Sequence, residues 1–410
     1  MVRKRFAAFL APHHLPGEGS ALQLQRDLRL VELLDELGFD EFWCGEHHST
    51  GWETIGSPEM FLAAAAVRTK RIKLGTGVAS LPYHHPFNVA QRIVQLDQMS
   101  FGRALLGTGP GALPSDAHTL GVDPMVLRDR QDEAIGVIKR LLAGEERFSY
   151  VCEWFELHDA ALQILPYQET IPMATASMVS PSGMTLAGKY GMGVLSIGSM
   201  STEGLASLPL QWSFAEESAA KHGQTVDRAN WRVMFNFHLA ETGEQARADV
   251  EHGLLRWHND YNVGTLMRPG LEPLDSTDEA IEFYGEGEGS AGVIGTPDDL
   301  IARIREMDEV TGGFGVMMGF INDWANPEAT RRSWDLVARH VIPEINGQLT
   351  PMRASTRFVQ ENRESFERAG KAIISKIMDN ERAAAAFSTA GSGAAKSPIA
   401  PHTAPDGPER

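Results

Sequence analysis

Cysteine is scarce in this chain of 410 residues, which has only Cys44 and Cys152. The two lie far apart in the sequence, and neither belongs to a Cys-x-x-Cys pair. The sequence therefore suggests neither a disulfide framework nor a cysteine zinc site. This cysteine usage is typical of a protein of the reducing cytoplasm, which is the location that we expect.

Positive charge and long apolar runs are also in short supply. The chain has 37 Lys and Arg against 54 Asp and Glu, a formal net charge of -17. Nucleic acids and anionic membranes both favour clustered Lys and Arg, so neither is expected as a partner. No run approaches the roughly 20 apolar residues of a membrane helix, and the first apolar run is too short for a signal peptide. A neutral or apolar small molecule is the expected ligand.

Short apolar segments alternate with longer segments of helical periodicity along most of the chain. The predicted strands are 6–11, 39–45, 72–81, 104–109, 172–178, 193–197, 231–240 and 312–321, and the clearest helices are 22–37, 58–69, 85–99 and 125–142. Eight near-continuous apolar strands indicate a parallel sheet covered by helices. We predict a TIM (β/α)8 barrel, with a doubly wound sheet as the alternative.

Three segments depart from this alternation. The segment 148–158 is rich in aromatic residues and predicts a hairpin. The segment 262–292 has many Gly, Pro and acidic residues, which predicts an insertion or lid before the last strand of a barrel spanning 1–345. A charged helical extension over 346–388 and a disordered tail over 389–410 are predicted to follow.

Histidine and acidic residues follow four consecutive predicted strands. They are His13 and His14 after the first, Glu46, His47 and His48 after the second, Tyr83, His84 and His85 after the third, and Asp116 and His118 after the fourth. In a barrel these strand ends share one rim. A single loop histidine is more often exposed or a helix cap, but four such strand ends together indicate a site.

Zinc is the first ligand that a cluster of this kind suggests, because His and carboxylate ligands would activate water for hydrolysis. The spacing argues against it, since adjacent residues of a strand point to opposite faces. The chain has His-His pairs and no His-x-His, so one imidazole of each pair should face the cavity while the other packs or caps. We expect no metal, and a TIM-barrel metallohydrolase is the less favoured alternative.

Small residues at the strand ends favour an organic cofactor. The segments 75–82 and 107–111 would let a flat ring lie against the backbone. Ser180-Pro-Ser-Gly183 opens a predicted helix, where free N–H groups and hydroxyls would hold a phosphate, although Ser180 could equally be a simple N-cap. The segment 107–111 lacks the dinucleotide-binding spacing, and no triphosphate-binding loop is present.

An ordered series of motifs carries a resemblance to a known family. The series is Glu46-His47-His48, Gly75-Thr-Gly-Val78, Leu81-Pro-Tyr-His-His-Pro86, Leu96-Asp-Gln-Met-Ser-Phe-Gly-Arg103, Gly107-Thr-Gly-Pro-Gly111 and Ser115-Asp-Ala-His118. Over residues 5–345 it resembles the bacterial luciferase-like flavin monooxygenases, and within them the group of limonene and diketocamphane monooxygenases.

The resemblance implies a two-component enzyme that is a homodimer. Such an enzyme takes reduced, non-covalent FMN from a separate NAD(P)H:flavin reductase and reacts it with O2 through a flavin hydroperoxide. It then oxygenates a small apolar substrate such as a terpene or cyclic ketone. The absence of a recognisable NAD(P)H motif agrees with a separate reductase. An oxidoreductase dependent on the deazaflavin F420, on the same barrel, is the alternative.

The family's roles transfer to particular residues. His47 would be the acid/base group at the reactive edge of the flavin, and its ordinary pKa of ~6.5 suits proton transfer. Glu46 would contact or orient the flavin as a second catalytic residue. The cofactor-binding residues implied are Glu46, Gly77, Val78, Gly109, Met178, Ser180, Ser182 and Gly183. Gly77-Val78 matches a non-prolyl cis peptide of the family, whereas Pro110 stands where some members have an arginine beside the phosphate.

The implied chemistry requires a pocket that excludes water. The predicted walls of the substrate pocket are Phe9, Trp52, Tyr83 and Phe235, with Met178 beside them. The segment 262–292 would close over these side chains. Each aromatic residue taken singly is more often ordinary core.

Overall fold

Eight parallel strands close into a barrel in the computed structural model, which describes residues 3–11, 13–200, 202–268, 270–286, 290 and 292–392. The strands are β1 (Arg5–Leu10), β2 (Glu41–Cys44), β3 (Lys73–Thr76), β4 (Ala79–Ser80), β5 (Ala104–Gly109), β6 (Phe148–Val151), β7 (Glu156–Ala160), β8 (Met173–Ser177), β9 (Gly193–Ser196), β10 (Trp231–Leu239), β11 (Gly292–Gly295) and β12 (Val316–Ile321). The barrel order is β1, β2, β3, β5, β8, β9, β10 and β12, and β12 pairs again with β1. The predicted TIM barrel is confirmed.

Helices connect these strands, as the alternation predicts. They are α1 (Ser20–Leu37), α2 (Pro58–Arg68), α3 (Pro86–Met99), α4 (Pro114–Thr119), α5 (Leu127–Leu142), α6 (Ser182–Tyr190), α7 (Thr202–Lys221), α8 (Gly243–Val250), α9 (Leu254–Arg256), α10 (Thr277–Ile281), α11 (Pro297–Thr311), α12 (Pro327–Leu336) and α13 (Ile342–Ile345). Local chemistry sets their ends: Gly38 closes α1 at φ 86, and Thr296 and Asp299 form a capping box at the start of α11.

The strands are apolar on both faces because both faces are covered. Phe9, Trp43 and Met234 belong to a cluster inside the barrel. Phe42 and Val233, each one residue away along a strand, belong to the cluster between the barrel and its helices. This is the physical reason why the strands have near-continuous rather than alternating apolar sequences.

A buried ion cluster fills the amino-terminal end of the barrel. Glu41 accepts hydrogen bonds from Arg232 at 2.6 and 2.9 Å, from Arg5 at 2.8 Å and from the Trp43 indole at 2.9 Å. Burial alone would raise the pKa of Glu41, but the Arg232 guanidinium outweighs it and lowers that pKa. Both carboxylate oxygens of Glu41 therefore accept hydrogen bonds.

The two internal segments predicted to depart from the alternation, 148–158 and 262–292, both contain regular secondary structure. The hairpin is present as the antiparallel pair β6 and β7. The segment 262–292 contains the end of a π-helix, Trp257–Thr265, then α10 and a second π-helix, Glu282–Glu286, whereas residues 269, 287–289 and 291 lie outside the described part of the chain. Its function as a lid stays a prediction. The short strand β11 after it, which pairs with β10, was not expected.

The chain divides into two units, Met1–Asn346 and Gly347–Arg410. The second contains α14 (Thr350–Glu361), α15 (Arg363–Met378) and α16 (Glu381–Ser392), and α14 and α15 bury no side chain. Residues 389–392, predicted as part of a disordered tail, end α16, and 393–410 lie outside the described residues. Within the described part of the chain, no helix is long and apolar enough to span a membrane.

Candidate active site

The polar strand ends found in the sequence lie side by side. The strands β1, β2, β3, β5 and β8 are consecutive neighbours in the barrel, so the loops that follow them share one arc of its carboxyl-terminal rim. The histidines and acids therefore come from loops that are adjacent in space as well as regularly placed in the sequence. This is the rim where TIM barrels hold their catalytic residues.

Glu46 organises the first part of this arc. Its Oε1 accepts hydrogen bonds from Nε2 of His48 at 2.8 Å and Nε2 of His84 at 2.7 Å, and its Oε2 accepts one from the Ser80 N–H at 3.0 Å. Burial would raise the pKa of this carboxyl, but the bonds from His48 and His84 outweigh it and lower the pKa to about 2. The side chain is fully buried, and its expected role of contacting or orienting a flavin stays a prediction.

His47 lies between two carboxylates. Its Nδ1 is 3.0 Å from Oδ2 of Asp116, and its Nε2 is 3.4 Å from Oε1 of Glu53. Oδ1 of Asp116 also accepts hydrogen bonds from the His48 N–H and the Ser49 hydroxyl. Burial would lower the pKa of His47, but the charges of Glu53 and Asp116 raise it above its ordinary value. The imidazole is 17% exposed, so one edge reaches the rim.

The two histidines of each His-His pair make different contacts, as the alternation of side chains predicts. His84 bonds to Glu46, whereas His85 caps α3 by accepting the Phe87 N–H at 3.2 Å. His14 lies 2.9 Å from Asp27 of α1, whereas His13 stacks on Trp52 with ring centroids 5.3 Å apart. The described residues contain no group of His, Cys and acidic side chains arranged to hold a metal ion.

Glycines at the ends of β3 and β5 bring backbone segments close together. The Gly77–Val78 peptide is cis, as in the motif that the sequence resembles. A Cβ on Gly109 would lie 2.4 Å from Val78, and one on Gly77 would lie 2.7 Å from the Phe9 ring. The structure thus brings Phe9, Gly77, Val78 and Gly109 together, and only glycine permits these approaches.

The start of α6 has the features of a phosphate site. No side chain caps the helix, and the exposed hydroxyls of Ser180 and Ser182 lie 2.8 Å apart at its first turn. A Cβ on Gly183 would lie 2.3 Å from the Ala176 carbonyl, so glycine allows the helix to pack directly on β8. Met178 beside them is 51% exposed. Free N–H groups and hydroxyls at a helix start fit an anionic group.

Three of the four predicted pocket walls lie at this rim. Phe9 and Trp52 are buried there, and Tyr83 is half-buried with its hydroxyl shielded and without a hydrogen-bond partner. Burial, with the charges of Asp116 and Glu46, raises the pKa of Tyr83 to about 12. The hydroxyl lies against the backbone of Gly111, where a Cβ would be 2.4 Å away.

Phe235 is the pocket prediction that the structure contradicts. Its ring lies in the cluster between barrel and helices, 5.9 Å from Phe314, because Met234 is the neighbour that points inward. Side chains alternate along a strand, so an error of one residue reverses the face. The apolar sequence of β10 gives no signal for the correct parity.

Two important contacts of His47 were missed as site residues. Asp116 was noted at a strand end but given no role, although its position after β5 was a usable signal. Glu53 follows His47 by six residues in a loop, and no motif identifies it. Tyr261 lies in the π-helix after β10, and burial together with the nearby charge of Glu53 raises the pKa of its phenol. Asp116 and Glu53 thus reach His47 only through the folding of the chain.

Comparison with known proteins agrees with the resemblance seen in the sequence. The family model described as luciferase-like monooxygenase matches residues 5–314. The chain is 48% identical over 365 residues to 4-hydroxyprotoasukamycin monooxygenase from Streptomyces nodosus subsp. asukaensis, covering 88% of this chain and 97% of that protein. It is 46% identical over 384 residues to limonene 1,2-monooxygenase from Rhodococcus erythropolis, covering 93% and 97%.

A solved structure shares the fold over most of the chain. The oxygenating constituent of 3,6-diketocamphane monooxygenase from Pseudomonas putida, solved in complex with FMN, superposes with a TM-score of 0.70 at 25% identity. The match covers 83% of this chain and 98% of that one. The chain therefore belongs to the luciferase-like monooxygenase family and is a flavin-dependent monooxygenase.

Proposed function

We propose that the chain is the oxygenase component of a two-component system that uses reduced FMN and O2 to oxygenate a small apolar organic substrate. The observation that carries the proposal is the placement of His47 on the same arc as the glycine-lined strand ends and the uncapped start of α6. An acid/base group, a surface for a flat ring and a site for a phosphate are thus combined on one rim.

The residues present fit FMN. Ser180, Ser182 and the first N–H groups of α6 would hold the phosphate, and Gly77, Val78 and Gly109 would lie against the ring system. Met178, half exposed beside the serines, would contact the side of the FMN molecule. When bound, the reduced flavin supplies the electrons that activate oxygen.

His47 is the proposed acid/base residue. Its raised pKa makes it a proton donor near neutral pH, and Asp116 fixes the orientation of the ring through Nδ1. Glu46 acts indirectly, because it holds His48 in the loop after β2 and His84 in the loop after β4. Phe9, Trp52 and Tyr83 exclude water from this corner, which protects oxygen chemistry from side reactions.

The substrate class rests on the apolar walls and on the relatives. The two similar proteins are named for limonene and for 4-hydroxyprotoasukamycin, so we propose a terpene, a cyclic ketone or a comparably apolar compound. A separate NAD(P)H:flavin reductase is the proposed partner. The cytoplasmic location and the homodimer expected from the sequence stay predictions.

The test combines the purified chain with FMN, a flavin reductase, NADH and O2, and screens limonene and camphor-type ketones for products. We expect an oxygenated product that requires both oxygen and reduced FMN. His47→Ala should lower turnover by about 100-fold or more while flavin binding persists. His85→Ala is the matched control, because His85 caps α3 and should leave turnover unchanged.

Other outcomes would replace the proposal. Anaerobic turnover with reduced F420 would establish the deazaflavin alternative. Full activity of His47→Ala would remove His47 from the mechanism.

A further inference from the structure

Glu53 is a buried carboxylate with an incomplete set of partners. Its side chain is 4% exposed, and its Oε2 has no hydrogen-bond partner in the protein. Its Oε1 lies 3.4 Å from Nε2 of His47. A buried carboxylate is costly unless a positive charge or several donors accompany it, and His47 is the nearby group that can become positive.

Contacts from two directions hold Glu53 in place. The Glu53 backbone forms an antiparallel bridge with His13, and the carbonyl of the adjacent Trp52 accepts the His14 N–H at 2.6 Å. From the other side the Tyr261 ring packs on Trp52 with centroids 5.5 Å apart, and burial together with the nearby charge of Glu53 raises the pKa of the Tyr261 phenol. The carboxylate is therefore placed relative to His47 by the loop after β1 and by the π-helix Trp257–Thr265.

Both ring nitrogens of His47 face carboxylate oxygens. An ionised carboxylate only accepts hydrogen bonds, so a neutral imidazole would turn one lone pair towards a negative charge. The imidazolium instead presents an N–H to Asp116 and another to Glu53. The charged groups around His47 are Glu53, Asp116, Glu46 and the neighbouring His48, which opposes the three acids when it is protonated.

We propose that Glu53 is a positioning residue that, together with Asp116, holds His47 in its doubly protonated form, and that Tyr261 holds Glu53 for this purpose. The relevance of this clamp to catalysis rests on the proposed function. The two contacts are unequal: 3.0 Å to Asp116 is within ordinary hydrogen-bond range, whereas 3.4 Å to Glu53 is longer than a strong charged hydrogen bond. Nδ1 is therefore the anchored nitrogen, and Nε2 is the one that releases its proton to the reacting group.

The experiment follows the titration of His47 by NMR in the full chain with labelled histidine and no flavin. The His47 signal is assigned by its loss in His47→Gln. In Glu53→Gln the midpoint for His47 should fall by about one pH unit, a tenfold loss of proton affinity, because a full negative charge 3.4 Å from Nε2 is removed. In the assay with FMN, the alkaline limb of the pH dependence of turnover should move down by the same amount.

Glu59→Gln is the matched control. Glu59 is also a buried carboxylate with one oxygen that accepts no hydrogen bond, but it lies at the start of α2, where that oxygen is 3.5 Å from the Arg92 guanidinium. Its substitution should leave the His47 titration unchanged. Glu53→Asp keeps the charge at a greater distance and should give a shift of about half the size.

Each result of these measurements either supports or overturns the proposed role of Glu53. An unchanged His47 titration in folded Glu53→Gln would overturn the proposal, and so would an equal shift in Glu59→Gln. If circular dichroism shows that Glu53→Gln is unfolded, Glu53→Asp decides by the same criterion. Absence of any FMN-dependent turnover in the wild-type chain would reject the proposed function but would leave the titration result intact.

Discussion

The two ends of the barrel both bury charge, but they do so differently. At the amino-terminal end Glu41 has two arginines and an indole, and both of its oxygens are bonded. At the carboxyl-terminal end the charged groups are histidines and acids, and polar atoms such as Glu53 Oε2 and the Tyr83 hydroxyl have no partner in the protein. The first end is complete without a ligand, whereas the second is not.

The difference indicates that the amino-terminal end of the barrel has a structural role and the carboxyl-terminal end a functional one. Buried polar groups are nearly always bonded, so an unbonded one needs an explanation such as a ligand or a catalytic role. Arginine keeps its charge at every physiological pH, whereas histidine gains and loses a proton near neutrality. The amino-terminal end should therefore contribute to stability, and the carboxyl-terminal end should respond to pH and to ligands.

Removal of Arg232 should have the largest effect on stability. Arg232→Met leaves Glu41 buried with only Arg5 as a charged partner, and we expect the free energy of unfolding to fall by about 3 kcal/mol, measured by chemical denaturation. Arg305→Met breaks a mostly exposed pair with Glu344 and should cost less than about 1 kcal/mol. Equal losses in the two variants would contradict a special role for the Glu41 cluster.

Glu46 should give the carboxyl-terminal end a distinct response to acid. Its pKa is about 2 in the folded chain and about 4.3 when unfolded, so its stabilising contribution is complete above the unfolded value and is lost as the pH falls towards 2. Glu46→Gln should be less stable by about 2 kcal/mol at neutral pH, and the difference from wild type should shrink below about pH 4. Exposed Glu309→Gln is the control and should show no such pH dependence. Denaturation midpoints across this pH range would measure both.

The strands and the first part of the site could be predicted because their signals are local. The predicted strand 104–109 coincides with β5, and each of the other seven barrel strands lies within its predicted segment or differs from it by one residue. Glu46 and His47 follow β2 directly, so the rule that sites lie at carboxyl ends of barrel strands identified them. Gly109 and Gly183 were recognisable because the backbone approaches that require glycine recur at fixed places in the motifs.

The rest depends on distances that no local pattern encodes. Glu53 lies in an irregular loop, and Tyr261 lies more than 200 residues further along the chain, in a segment next to the predicted lid. Phe235 was misassigned because every residue of β10 is buried, so the sequence does not reveal which face is inside. Contacts between distant loops and the parity of a fully buried strand both need the folded structure.

The smallest expected effect concerns two tyrosine hydroxyls. Tyr83→Phe removes a shielded hydroxyl without a partner, so stability should stay the same or rise by up to about 1 kcal/mol. Tyr190→Phe removes a hydroxyl that donates to Asp132 at 2.7 Å, so stability should fall by about 1 kcal/mol. Thermal denaturation of both variants measures the difference, and an equal loss in Tyr83→Phe would show that this hydroxyl is already satisfied in the free protein. If the Tyr83 hydroxyl instead awaits a ligand, Tyr83→Phe should weaken the binding of FMN or substrate without lowering stability, because the missing partner comes from outside the chain.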